Sequence, residues 1–194
     1  MSRLEHPVRW GGLAALAAGV LLFIAELLRL YAGFDPTAFV NFFVVDGWLG
    51  ALLAVIMLLG LVGIYVPEAR ALGPMGLVGF CLAIAGVQLA MGASFVFAFI
   101  RPDVLPWKGE EYIEDGPQGL VFALSFVLGW VLLGIAILRA RVYPRLAGAL
   151  LLAGALIIVL PLPLSGVIFA GAVAWIGYIL FESEGQQTPS PAHA

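Results

Sequence analysis

The chain has 194 residues, of which 63% are hydrophobic and only 11% are charged, and its mean hydropathy is +1.10. Soluble domains contain about 45–50% apolar and about 25% charged residues, so water cannot be the solvent for most of this chain. A membrane-crossing helix needs about 20 apolar residues, and several such helices would leave no room for a soluble catalytic domain. The composition predicts an all-α integral membrane protein.

Charged and metal-ligating residues are sparse. The net charge is −3 and no basic block occurs, which argues against nucleic acid as a partner because phosphate binding needs clustered Lys and Arg. Cys81 is the only cysteine, and His6 and His193 lie near the termini, outside every apolar stretch. A disulfide, a metal site and paired haem ligation are therefore not expected, and we predict no cofactor and no metal.

Six apolar stretches follow one another along the chain, and we predict a compact bundle of three helical hairpins over residues 1–181. The first stretch is longer than a signal-peptide core, so it is expected to be a retained span. Pro161 and Pro163 favour a turn between the fifth and sixth spans; if they only kink one helix, the count falls to five. The predicted spans are residues 10–31, 47–66, 74–100, 119–138, 146–160 and 165–181.

The remaining segments are assigned by length and polarity. Residues 36–45 are apolar but too short to cross a bilayer, so we expect an interfacial or re-entrant piece. Residues 101–118 carry two basic and five acidic residues and are expected to form a solvated connector. The tail, residues 182–194, should be disordered.

Basic residues near span ends predict orientation, because Lys and Arg are enriched on the cytoplasmic side. Under the six-span prediction, three basic residues fall on one side: Arg29, Arg101 and Lys108. Six fall on the other, which predicts that both termini are cytoplasmic: Arg3, Arg9, Arg70, Arg139, Arg141 and Arg145.

A weak repeat accompanies the odd-numbered spans. Glycine recurs five and twelve residues after Pro7 and after Pro74, and four and ten residues after Pro144. Three hairpins descended from one unit would produce this spacing. Chance is the alternative, since glycine and proline are common in membrane helices.

Two ionisable residues lie inside the first span. Glu26 and Arg29 are three residues apart and so share one helical face. A charge at mid-membrane costs about 2.5–3.5 kcal/mol on insertion scales, which makes such residues candidates for binding a ligand or an ion. Glu26 nevertheless lies near the outer part of the membrane core, where Arg29 could pair with it and extend to the surface. Structural and functional roles both remain open.

Other polar and small residues favour packing. Gln88 in the third span is a further ligand candidate, although an interhelical hydrogen bond would also explain it. Glycine pairs such as Gly60 with Gly63 and Gly76 with Gly79 predict close helix contacts. Several aromatic residues are expected to mark the membrane interface, namely Trp10, Trp48, Trp107, Tyr112 and Tyr143.

No catalytic motif is present in the sequence. Serine, histidine and carboxylate do not occur together within the spans, and neither HExxH nor GxxxxGK[ST] is found. We therefore predict no catalytic residues and no enzymatic activity.

Four short runs, Leu61–Tyr65, Gly76–Ala83, Gly134–Arg145 and Leu160–Pro163, carry a resemblance. The segment from Leu61 to Phe181 resembles an uncharacterised bacterial family of multi-pass membrane proteins of roughly 200 residues. The resemblance implies a bacterial cytoplasmic (inner) membrane and a compact bundle, and it brings no activity or site residues with it.

The expected function is that of a non-enzymatic accessory or lipid-interacting component. Its partners would be the lipid bilayer and either another membrane protein or further copies of the chain. The alternative is a small transporter or channel that uses Glu26 and Arg29 in a membrane cavity.

Overall fold

The structure is a computed structural model that describes residues 5–34, 36–99, 117–158 and 165–185. Within these ranges, side chains are described for residues 9–28, 30, 48–92, 94–95, 120–158 and 166–183. The described residues are helical and contain no strand, which confirms the predicted all-α class for this part of the chain.

Six α-helices follow in chain order: α1 Glu5–Phe34, α2 Pro36–Tyr65, α3 Ala69–Phe99, α4 Pro117–Ala140, α5 Arg145–Ile157 and α6 Ser165–Gly185. A 3-10 turn, Val66–Glu68, connects α2 to α3. Within α3, Gly73 has a φ of +64° and interrupts the helix immediately before Pro74. Regular helix therefore resumes at the residue where the third span was predicted to begin.

The helix boundaries differ from the predicted spans by up to five residues, except at the start of α2, where the difference is eleven residues. Residues 36–45 do not form a separate piece, because α2 runs without a break from Pro36 through Asp46 and Gly47. At the other end, α6 continues four residues past Phe181, to Gly185. The acidic connector and residues 159–164 lie largely or wholly outside the described residues, as does the tail from residue 186.

The helices form a closed ring in which each helix packs against its neighbours in sequence and α1 closes the ring against α6. Successive helices run in opposite directions. The start of α1 meets the end of α2 where Gly11 and Gly63 touch, and the middle of α2 meets the end of α3 where Gly50 faces Ser94. Tyr65 of α2 also stacks on Phe80 of α3, with ring centroids 4.2 Å apart.

Large apolar residues lie on the exposed faces of the helices as well as in the interior. Buried faces are rich in Ala and Gly, whereas Leu, Val, Ile and Phe populate the exposed faces of all six helices. Exposed apolar surface on this scale is unfavourable in water and suits a lipid environment. Small residues let helix backbones approach closely, which is how membrane helices pack.

Among the described residues, four helical stretches are long and apolar enough to cross a membrane: Arg9–Leu28, Trp48–Gly92, Leu120–Ala140 and Gly166–Ser183. The second stretch is 45 residues long and includes parts of both α2 and α3. The helix α5 is apolar but shorter. These lengths and compositions are consistent with a membrane location.

Candidate functional site

The interface between α1 and α6 is built on glycines. A β-carbon at Gly12 would lie 2.8 Å from the backbone nitrogen of Phe181, and one at Gly19 would lie 2.6 Å from the carbonyl oxygen of Ala170. The two helices can pack this closely only because these side chains are absent. The carboxylate of Glu26 lies in the same interface, where the later part of α1 meets the start of α6.

Glu26 is the buried charged residue of the described chain, with 8% of its surface exposed. It lies on the interior stripe of α1, together with Leu22 and Ala25. Its side chain occupies the space that a side chain at position 166 would fill, since a β-carbon on Gly166 would lie 2.6 Å from Glu26 Oε1. Glu26 also interacts with a neighbouring group.

Gly166 is the second residue of α6, so the carboxylate lies against the first turn of that helix. Amide N–H groups in a first helical turn lack partners within the helix, and the helix dipole places partial positive charge there. Both effects favour an anionic side chain. Glu26 thus lies beside the end of α6 that carries partial positive charge.

The three predicted candidates do not form one cluster among the described side chains. Arg29 lies one helical turn beyond Glu26 in α1, and its side chain is outside the described set. Gln88 is exposed on the outer face of α3, a helix that packs between α2 and α4. The structure does not bring Gln88 to Glu26, and functional roles for all three residues remain predictions.

An aromatic cluster fills the inside of the ring. Trp130 of α4 and Phe169 of α6 are fully buried and meet edge to face, with centroids 4.9 Å apart. Phe126 lies beside both, at 6.1 Å from Trp130 and 5.6 Å from Phe169. The buried Trp130 Nε1 finds no hydrogen-bond acceptor in the described part of the chain. Packing, rather than a polar passage, occupies this level of the bundle.

Tyr143 has a structural role that the sequence reasoning did not anticipate. It was expected to mark the membrane interface, but it is only 6% exposed, and its hydroxyl donates a 2.9 Å hydrogen bond to the carbonyl oxygen of Ile64. Ile64 precedes the residues of the 3-10 turn. In that geometry its carbonyl would accept a hydrogen bond from the N–H of the residue three positions later, but this residue is Pro67, which has no N–H. Pro67 was the feature of the sequence that could have indicated that the Ile64 carbonyl needs a side-chain hydrogen-bond donor.

Tyr143 also experiences a distinctive electrostatic environment. Burial, and secondarily the negative charge of Glu68, raise the pKa of the Tyr143 hydroxyl well above its ordinary value of 10.0. The hydroxyl therefore stays protonated and able to donate. It ties the α4–α5 turn to the α2–α3 turn at one end of the bundle.

Basic residues cluster at the same end of the bundle. Arg9 places its guanidinium 4.9 Å from the ring centroid of Phe181, which brings the start of α1 beside the end of α6. Arg70, Arg139, Arg141 and Arg145 follow or flank the turns that Tyr143 joins, and all four are exposed. Five of the six arginines predicted to share one side thus lie at one end of the bundle. The sixth, Arg3, is outside the described residues.

Metal ligands are not clustered in the described part of the chain, where no group of three or more His, Cys, Asp or Glu side chains could hold an ion. Cys81 is exposed on α3. Comparison with known proteins found no matching family model, curated protein or solved structure. The resemblance to a bacterial membrane-protein family therefore stays a prediction.

Proposed function

We propose that the chain is a six-span integral membrane protein of the bacterial cytoplasmic membrane, with both termini in the cytoplasm. In this proposal it acts as a non-enzymatic accessory or lipid-interacting component. The observation that carries the proposal is the large number of exposed apolar side chains on all six helices, which meet one another at contacts between small residues. Such a molecule presents its most extensive surface to lipid or to another membrane helix.

Six crossings follow if α2 and α3 each cross once and α5 crosses despite its length. The stretch Trp48–Gly92 has more than twice the roughly 20 residues that one crossing requires. Its two helices run antiparallel, as the facing of Gly50 and Ser94 indicates. The grouping of arginines at one end of the bundle supports the proposed cytoplasmic side.

The first experiment measures solute flux through liposomes that contain the purified protein. Neither wild type nor Glu26→Gln should move protons, monovalent cations or small anions faster than empty liposomes. Gln88→Leu, on the exposed face of α3, serves as a matched control for changing an intramembrane polar group. Size-exclusion profiles and unfolding temperatures establish that each variant is folded.

A second experiment looks for what the protein associates with. Native mass spectrometry of protein extracted gently from its own membrane should reveal either a stoichiometric foreign subunit or a retained lipid. A bare chain or a homo-oligomer, together with flux that Glu26→Gln abolishes, would contradict the accessory role.

A transporter or channel is the second candidate function, and buried Glu26 favours it. An ionisable residue held inside a membrane helix bundle is costly and often marks an ion or substrate path. In this alternative Glu26 and Arg29 line the path. Wild-type flux of one solute, lost in Glu26→Gln and retained in Gln88→Leu, is the result that would establish it.

A further inference from the structure

An open groove runs along the outside of the bundle between α1 and α2. Its volume is about 820 Å³, and none of its lining side chains is charged. Small residues at a spacing of three, Gly11, Ala14 and Ala17, form much of its α1 side. Leu59 and Val62 of α2 line it as well, and both are exposed.

The groove exists because the two helices meet along a neighbouring line of glycines. A β-carbon at Gly60 would lie 2.7 Å from the Cα of Ala15, so the backbones are in contact there. On the outer side of this contact, α1 has Ala14 and Ala17, whose short side chains leave the groove open. The volume is within the range of about 300–1,000 Å³ that is usual for small-molecule sites.

The groove has the length of one membrane leaflet. Its α2 side extends from Ile56 to Pro67, which is roughly 16 Å at ~1.5 Å per helical residue. Half of the ~30 Å hydrocarbon core is of similar size. One acyl chain from a single leaflet would therefore lie along the groove without crossing the bilayer midplane.

Charge at the mouth indicates which headgroup fits. The groove reaches Trp10 and Pro67, at the end of the bundle where the five described arginines lie. Arg70 is exposed three residues beyond Pro67. Four acidic residues lie in the described segments at this end, namely Glu5, Glu68, Glu182 and Glu184, so the five arginines leave a small excess of positive charge. An anionic headgroup complements this surface and a zwitterionic one does so less well.

From these features we infer that the α1–α2 groove binds one acyl chain of an anionic phospholipid from the leaflet on the arginine-rich side. The headgroup phosphate lies at the basic end near Arg70. The inference rests on the proposed membrane location and specifies the lipid class for the lipid-interacting role.

The test titrates detergent-solubilised protein with phosphatidylglycerol or with phosphatidylcholine of the same chains, and native mass spectrometry counts the lipids retained. Phosphatidylglycerol should be retained at one per chain, and more tightly than phosphatidylcholine. The double variant Ala14→Leu/Ala17→Leu fills the groove, and excluding about two methylene groups predicts a roughly tenfold loss of affinity. Ala85→Leu, on the exposed face of α3, is the matched control and should bind like wild type.

A second pair of variants tests the headgroup. Arg70→Gln should remove most of the preference for phosphatidylglycerol, whereas Arg145→Gln, on α5 across the ring, should keep it. Equal retention of both lipids with no effect of the groove-filling pair would overturn the inference. A dimer or a bound helix that disappears in the groove-filling variant would overturn it too, because a protein would then occupy the groove.

Failure of this inference is distinguishable from failure of the proposed function. A folded, detergent-dependent protein that ignores the groove variants contradicts only the lipid site. A protein that stays monodisperse without detergent contradicts the membrane proposal itself.

Discussion

The hydroxyl of Tyr143 replaces a backbone donor that proline removes. Because Pro67 cannot donate to the carbonyl of Ile64, that buried oxygen depends on a side chain 79 residues away in sequence. A buried acceptor that loses its donor costs about 1–3 kcal/mol. The Tyr143 hydroxyl thus joins the α4–α5 turn to the α2–α3 turn. Among the hydrogen bonds of the described residues, it is the one that connects these two turns.

Replacing Tyr143 with Phe should lower the free energy of unfolding by about 1–3 kcal/mol, because the ring packing stays and only the donor is lost. Thermal unfolding in detergent at pH 8 measures this. Tyr178→Phe, on the exposed face of α6, is a comparison that should change stability little. An unchanged unfolding temperature in Tyr143→Phe would show that the bond contributes nothing.

The raised pKa of Tyr143 also predicts a dependence on pH. The folded state holds the proton more tightly than the unfolded chain, so this stabilisation is complete below the ordinary pKa of 10.0 and is lost as pH rises above it. Between pH 9 and pH 11, wild type should lose more stability than Tyr143→Phe. Parallel pH profiles for the two proteins would contradict the assignment.

At the scale of single residues, sequence reasoning found Glu26 but not its setting. A carboxylate in an apolar helix is visible in the sequence, whereas its packing against Gly166 depends on two distant helices meeting. Tyr143 was misread because a tyrosine near a span end also fits an aromatic belt. Trp10 and Trp48, by contrast, are exposed as a belt position requires.

Glycine positions set which helices touch. The predicted close contacts are confirmed at Gly60 and Gly63, which face the backbone of α1, and at Gly79, which faces α4. The repeat of proline and glycine fares differently. Gly12 and Gly19 of α1 face α6, whereas Gly79 and Gly86 of α3 face α4. Corresponding glycines thus meet different neighbours in the ring, and the descent of three hairpins from one unit stays a prediction.

Two glycine-to-alanine substitutions should therefore have opposite effects. Alanine is ordinarily the better helix former by about 0.5–1 kcal/mol, and nothing lies within 4 Å of a β-carbon at Gly171, so Gly171→Ala should be neutral or stabilising. At Gly60 the new methyl meets the backbone of Ala15, and overpacking should cost about 1–3 kcal/mol. Unfolding temperatures in detergent compare the two, and equal effects would contradict the close contact.

Some helix ends follow from local sequence, because prolines interrupt helices. The start of regular helix at Pro74 and the break before Arg145 both follow local sequence. Continuity of α2 through Asp46 and Gly47 was not predicted, since residues 36–45 are too few to cross a bilayer and were assigned to a separate piece. Neither residue prevents helical hydrogen bonding, and so the helix continues.

For the whole molecule, the number of crossings decides where the C-terminus lies. The helix α5 has 13 residues, about 20 Å at ~1.5 Å per residue, which is shorter than the ~30 Å hydrocarbon core. With six crossings both termini share a side; with five they are on opposite sides. The arginine-rich end of the bundle favours the even count.

Reporter fusions test whether the number of membrane crossings is even or odd. Fluorescent protein fused after Gly185 should fluoresce and alkaline phosphatase at the same position should be inactive, because both would be cytoplasmic. A fusion within residues 101–116 is the opposite control, where phosphatase should be active. An active phosphatase after Gly185 would indicate five crossings.

Sequence order also has a consequence for synthesis, because α1 closes the ring against α6, which is made after the other five described helices. At ~5–20 residues per second, the ribosome needs on the order of ten seconds between Glu26 and Gly166. During that interval the glycine face of α1 and its carboxylate lack their final partner. A nascent chain that stalls before α6 would therefore present Glu26 to the insertion machinery and to membrane proteases. The α1 interface is therefore complete only after α6 has been synthesised.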